Sequence, residues 1–490
     1  MLFNSLQFLI FFPIVTLVYF LIPHKVRYLW LLGASYYFYM CWNPEYALLM
    51  LTSTFITYLS GIFIDKGKTV LSRKITVGVS FCINLAILFY FKYFYFTVDN
   101  INAIRQMLDL SVLTPKFDVI LPVGISFYTF QALSYTVDVY RKELEPERNF
   151  FKYALFVSFF PQLVAGPIER SKNLVTQISE RHYFDYDRAR RGLLMMLWGF
   201  FQKLVVADRA AILVNTVYNN MEDYGGIMFV IATLCFAVQI YCDFASYSLI
   251  AKGAAEVMGF KLMDNFAQPY LSLSIAEFWR RWHISLSSWF KDYLYIPLGG
   301  NRKGTFRKYF NLMTVFLVSG LWHGASWNFV VWGFIHGMYQ IIGSVTDNSR
   351  RLLCELVGID RTKPQYKWFQ RGITFVLVCF AWIFFRSESL SQAIYMIKGI
   401  FTDFRPWSVY GGGITSLGID SANLWVLVSA VCLQFAVSVK EYKGSSVFDS
   451  VEKMHLFARW PIYLALLFVV LIFGIYGPGF EQSQFIYFQF

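Results

Sequence analysis

The chain has 490 residues, of which 57% are hydrophobic and only 15% charged, against about a quarter charged in a soluble protein. Mean hydropathy is +0.47 and apolar stretches of about 18 residues or more recur, which excludes a soluble enzyme and gives an all-α, polytopic membrane protein. The net charge of +12 sits mainly in short connectors between apolar spans, where positive charge sets orientation or meets anionic lipid or a phosphorylated cofactor, so no nucleic-acid partner is expected.

The first apolar stretch, Ser5 to Ile22, lacks a basic n-region and a small-residue cleavage site. It reads as a retained first helix. Further spans follow at about 26–42, 45–64, 75–97 and 119–139. The loop after the first span carries Lys25 and Arg27, and the loop after the third carries Lys66, Lys68, Arg73 and Lys74. The turn Trp42-Asn43-Pro44-Glu45 between them has no basic residue. That alternation predicts an N-terminus outside and the first and third loops inside.

Beyond Tyr140 the pattern becomes irregular. Phe150 to Leu163 is short for a span and runs into Pro161-Gln162-Leu163-Val164-Ala165-Gly166-Pro167. Such a re-entrant segment must be covered by protein or line a cavity, because lipid cannot satisfy a broken helix. A polar stretch over 170–191 reads as an aqueous loop, and long helices follow at 189–218 and 226–257. Residues 275–293 are amphipathic, with Trp279, Trp282, Ile284, Leu286 and Trp289 set among Glu277, Arg280, Arg281 and Lys291. A helix of that kind lies in the membrane interface or dips into the protein.

Spans near 308–323, 327–345, 371–386, 422–439 and 459–476 bring the expected total to about eleven transmembrane helices, with an interfacial stretch at 390–401. No polar segment is long enough for a separate domain, so residues 1–490 are expected to form one polytopic membrane domain. The seven cysteines include no CxxC pair and read as small buried apolar residues.

The chemistry concentrates between Ile275 and Gly337, which holds His283, His323 and His336, half of the six histidines. The chain contains no HExxH, GxSxG or GxxxxGK[ST] motif. A metal site built from the three histidines would need carboxylate support that the local sequence does not offer, so no metal is expected. His323 stands in Leu321-Trp322-His323-Gly324-Ala325, at the end of an apolar run. An ionisable side chain at membrane depth is a functional-site candidate by default.

Two readings fit His323: a neutral imidazole that takes a proton from an attacking hydroxyl, or a hydrogen-bonded histidine between packed helices. The nearby Gly320, Gly324, Gly333 and Gly337 permit close backbone approach. On a continuous helix His283 shares a face with Trp279 and follows Arg280 by three residues. It either lines the same cavity or anchors an interfacial helix. Arg280 and Arg281 suit the phosphates of a nucleotide-bearing donor, or equally a lipid headgroup. His336 falls on a different face from His323 if one helix carries both. Asp243, inside an apolar span, would orient a histidine, pair with an arginine or join two helices.

These residues sit in words that resemble the membrane-bound O-acyltransferase (MBOAT) family, in particular its bacterial polysaccharide branch, which includes the alginate O-acetyltransferase membrane subunit. The words are Leu121–Tyr128, Phe160–Ile168, the Asp243 segment, Phe278–Ser287, Tyr295–Arg302, Gly320–Gly324 and Phe485–Phe490. The resemblance implies that His323 is the catalytic residue and His283 a supporting one. It implies a ring of helices around a central tunnel, which Trp279, Arg280, Arg281, Trp282, Asp243 and Trp322 are expected to line.

It further implies a multi-pass protein of the bacterial inner or plasma membrane. The expected acyl donor is acetyl-CoA, entering from the cytoplasm and not tightly bound. The acetyl group is expected to pass outward, to a separate exported acetyltransferase that acts on an exported or cell-surface polysaccharide. The family's D-alanyl transferases for teichoic acid, which draw on a carrier protein, are the alternative. Chain length and the terminal word favour the polysaccharide branch. A non-catalytic transporter or channel also fits the broken Pro161–Pro167 segment, although no inverted repeat is evident.

Overall fold

The computed structural model of the chain describes residues 1–115, 121–164, 166–477 and 485–486. The start of the expected 119–139 span, Ala165 and the terminal Tyr487–Phe490 lie outside the described residues. Among the described residues every regular element is a helix. Six helices are long and apolar enough to cross a membrane: Pro44–Lys66, Val70–Met107, Gly226–Met258, Pro364–Arg386, Ser421–Tyr442 and Leu456–Phe473. A seventh candidate is the pair Trp327–Val345 and Asp347–Leu356, bent by 51°. The expected total of about eleven is larger, because several expected spans form shorter or more polar helices, such as Leu6–Leu21 and His24–Met40.

The chain divides into two compact units, Met1–Met196 with Ile250–Met263, and Leu197–Leu249 with Asp264–Phe490. In the first unit, helix starts follow capping chemistry. Ser5, Asn43 and Thr69 each accept a hydrogen bond from a backbone N–H in the first turn, satisfying a donor that the helix itself cannot. Buried polar pairs then join helices where hydrophobicity alone would not fix a register. Ser53 donates to Asn84 at 2.5 Å and Tyr153 to Thr57 at 2.8 Å.

The described residues of this unit's proline-rich segment, 161–164 and 166–167, are buried, as its broken backbone requires. Helix Phe150–Ser158 stops, Phe159 turns the chain, and a single turn Phe160–Leu163 follows. The amides of Gln131 and Gln162 both donate to the Phe156 carbonyl, at 2.6 and 2.8 Å. Side chains thus supply what the interrupted helix lacks.

In the second unit the central pair is Gly304–His323 and Trp327–Val345. A Cβ on Gly320 would fall on the Phe329 carbonyl oxygen and lie 3.5 Å from the Gly333 Cα; one on Gly333 would fall on the Phe316 carbonyl oxygen. The two glycines let the backbones touch, as small residues do between membrane helices. Asn328 ties the start of the second helix to the end of Pro364–Arg386, donating to Ser387 O at 2.6 Å and Phe384 O at 3.2 Å. The expected 189–218 helix is interrupted by a π-turn at Phe201–Ala207, which carries Lys203.

Candidate active site

The amphipathic 275–293 stretch is two short helices with a hinge. Ser274 caps the first, accepting from Glu277 N at 3.2 Å, and that helix ends at Arg281. Trp282 is extended, and His283 adopts the left-handed conformation at φ 44°, ψ 54° before Ile284–Phe290 begins. Histidine is one of the few residues besides glycine that enters this region with some regularity. The expected single helix, and with it the shared face of Trp279 and His283, is therefore replaced by a turn that aims His283 separately.

Asn265 holds that turn. Its carbonyl accepts from Ile284 N at 2.9 Å, its side-chain oxygen accepts from Ser285 Oγ at 2.6 Å, and its amide donates to Ser248 Oγ at 2.9 Å. His283 is fully buried, between the spans, and burial pushes its imidazole down to about 3. The ring is neutral across the physiological range, which leaves one nitrogen to accept and the other to donate a hydrogen bond.

His323 closes helix Gly304–His323 and is also buried. Trp322 links the two histidines: its ring centroid lies 6.0 Å from His283 and 5.0 Å from His323. Phe244 stands edge-on to His283 at 4.6 Å, while Trp332 and Phe385 pack on His323 at 5.0 and 5.3 Å. Fixed aromatic walls of this kind hold an imidazole in one orientation and exclude water.

A cavity of about 440 Å³ adjoins this cluster, within the range of small-molecule sites. Trp279, Arg280, Ile284, Ser288, Lys291 and Ser319 are among its lining residues. Neither imidazole lines it. Ser319 is one helical turn before His323 on the same face, and Ile284 follows His283. Arg280 and Lys291 are the cations in its wall.

The other expected site residues divide. Trp279 lines the cavity and donates its indole N–H to His336 Nδ1 at 3.2 Å, so His336 is a packing partner on a separate helix. Arg281 turns away from the cavity: it pairs with Glu277 at 2.8 Å, donates to Ala267 O and lies over the Tyr442 ring. Trp282 is packed among Phe278, Tyr270 and Trp382.

Asp243 pairs with a lysine instead of the arginine or histidine considered from sequence. Lys203 Nζ reaches Asp243 at 2.6 Å and Asp208 at 3.0 Å, and the second Asp243 oxygen accepts from Ile486 N at 2.8 Å. Among the described residues, no three His, Cys, Asp or Glu side chains gather to hold a metal ion. Sequence reasoning missed Lys203 and Asn265. A lone lysine in Phe200-Phe201-Gln202-Lys203-Leu204-Val205-Val206 was a visible signal; nothing local marks Asn265.

Residues 69–387 match the model of the MBOAT, membrane-bound O-acyltransferase family. The probable alginate O-acetylase AlgI of Pseudomonas putida is 40% identical over 84% of this chain and 82% of its own length. The peptidoglycan O-acetyltransferase of Helicobacter pylori is 33% identical over 82% of this chain and 80% of its own length. The teichoic acid D-alanyltransferase of Streptococcus thermophilus is 28% identical, over 54% of this chain and 68% of its own length.

Proposed function

This chain belongs to the membrane-bound O-acyltransferase family, and from that premise we propose that it moves acetyl groups for O-acetylation of an exported or cell-surface polysaccharide. It is a multi-pass membrane acyltransferase. The names of its relatives supply the acetyl group and the polymer: both alginate and peptidoglycan acetylating proteins match over most of the chain, whereas the D-alanyltransferase matches over about half. Acetyl-CoA is the proposed donor, entering from the cytoplasmic side, with an exported acetyltransferase receiving the group outside. The N-terminus is proposed to lie outside, in a bacterial inner or plasma membrane.

The observation that carries the reading is the pair of buried histidines joined by Trp322 beside the Arg280–Lys291 cavity. In the proposed step His323 takes the proton of an acceptor hydroxyl as its oxygen attacks the thioester carbonyl. The tetrahedral intermediate collapses, the C–S bond breaks, and the imidazolium returns the proton to the leaving thiolate. His283 supports the acceptor side as a neutral hydrogen-bonding group. Arg280 and Lys291 offer the donor phosphates their charge-assisted hydrogen bonds.

The test uses the full-length protein in proteoliposomes with labelled acetyl-CoA, together with mass spectrometry of surface glycans from cells carrying each variant. His323→Ala is expected to lower acetyl transfer by about 10²–10⁴-fold, with elution and melting unchanged, and His283→Ala to lower it less. Full polymer acetylation by the His323→Ala protein would refute the assignment. Solute flux through the vesicles with no acylated product would favour the transporter reading.

A further inference from the structure

A second cavity, of about 350 Å³, opens beside the spans Gly226–Met258, Pro364–Arg386 and Ser421–Tyr442. Its walls are mostly apolar, with Val238, Leu271, Phe375, Val431 and Phe435 among them. The two outer helices expose large apolar side chains on either side of it: Ile373 and Val376 on one, Leu433 and Phe435 on the other. Surfaces of that composition on membrane spans face hydrocarbon. The cavity is set apart from the histidine cluster by Tyr270, whose ring stacks on Phe278 and packs on Trp282.

Among the described residues one cation, Arg371, lines this cavity. Arg371 donates its Nε–H to Leu271 O at 3.0 Å, and its guanidinium lies 4.7 Å from the Trp368 ring and 5.1 Å from the Tyr442 ring. No carboxylate pairs with it among the described residues, unlike neighbouring Arg281, which Glu277 neutralises at 2.8 Å. Two stacked rings and one backbone contact fix the guanidinium plane and leave its Nη donors for an anion. Lys363 and Lys367 near the start of one span, and Lys440 and Lys443 on either side of Glu441 at the end of the other, leave an excess of positive charge at that end. A positive rim over an apolar slot on a lipid-facing surface has the complementarity of an anionic lipid.

We propose that this cavity binds one anionic phospholipid, with an acyl chain between Phe375 and Val431 and the phosphate on Arg371. The ligand is held by charge at one end and by apolar burial along its length, so each half is separately testable.

The experiment is native mass spectrometry of the full-length protein extracted in mild detergent. It is titrated with phosphatidylglycerol, with phosphatidylcholine of the same chains, and with inorganic phosphate. The wild type is expected to retain one phosphatidylglycerol per chain in preference to phosphatidylcholine, and phosphate is expected not to compete. Arg371→Gln should weaken phosphatidylglycerol retention about tenfold or more, down to the phosphatidylcholine level. Val431→Trp, which fills the slot, should abolish retention of both lipids. Equal retention of the two lipids by the wild type would overturn the proposal, as would displacement by phosphate alone or unchanged binding in either folded variant. Each variant is first checked for a single elution peak and wild-type melting without lipid; if one does not fold, the other and the wild-type lipid preference decide.

Discussion

At the scale of single residues, this protein's cost is buried charge. Lys203 is 1% exposed, and it persists because two carboxylates and the face of the Tyr247 ring replace its water. Asp243 was legible from the sequence as an isolated acid in an apolar span. Its partner was not, because Lys203 lies forty residues away on an element whose π-turn no pattern announces. Glu169 is a second case, in the stretch 166–170 after the proline-rich turn. It is fully buried and accepts from Met263 N and from Asn173 Nδ2, the latter at 2.7 Å. Burial outweighs those donors and raises its carboxyl to about 7. In the unfolded chain the same group titrates near 4.5. Between those values the folded protein keeps a proton that the unfolded chain has released, so stability falls as pH rises from about 4.5 to about 7 and is flat on either side. The span corresponds to a loss on the order of 3 kcal/mol. Glu169→Gln carries no proton to lose, so its melting temperature is expected to stay level across that window while the wild type's declines. Parallel pH profiles for the two proteins would show that the carboxyl is not the source.

At the scale of elements, the contact of Gly304–His323 with Trp327–Val345 sets where His323 sits. The glycine-rich surroundings were legible from sequence as close backbone approach. The partner was not: the backbone that approaches is a neighbouring helix. Adding a methyl at Gly320 forces it into the Phe329 carbonyl, and rigid backbone cannot yield as a side-chain tip would. Gly320→Ala is expected to cost about 1–3 kcal/mol and to lower acyl transfer, since His323 follows three residues later. At Gly343, on the same second helix, an added methyl would meet nothing within 4 Å. Gly343→Ala should leave activity intact and gain about 0.5–1 kcal/mol of helix stability. Melting temperatures and transfer rates of the pair separate crowding from simple loss of glycine; equal effects at both positions would remove the packing argument. Other boundaries were legible because apolar period and turn residues agree, as at 308–323 and 327–345. The 275–293 stretch failed that test. Its amphipathic period predicts one helix, while the break at His283 is imposed by Asn265, nineteen to twenty residues upstream of the groups it binds.

At the scale of the whole molecule, hydropathy sets the class and the distribution of charge carries the proposed orientation, and neither depends on the site. Long apolar runs such as 45–64 appear where expected, because each must satisfy its own backbone within the bilayer. Runs containing charges or prolines, such as 189–218 and 150–163, were harder to read, because what rescues them is tertiary. Sidedness rests on the basic residues that follow Pro44–Lys66 and their absence before it. Twenty-three residues rise about 34 Å, enough to cross a hydrocarbon core of about 30 Å. Glu45 and Lys68, both exposed at its two ends, should therefore lie on opposite sides. In a variant whose exposed native cysteines Cys41, Cys82 and Cys432 are replaced, Glu45→Cys is expected to react with a membrane-impermeant maleimide in intact spheroplasts. Lys68→Cys should react only after lysis. The reverse pattern would place the N-terminus inside and move the proposed donor entrance to the opposite face, whereas labelling of both without lysis would remove this helix from the set of spans.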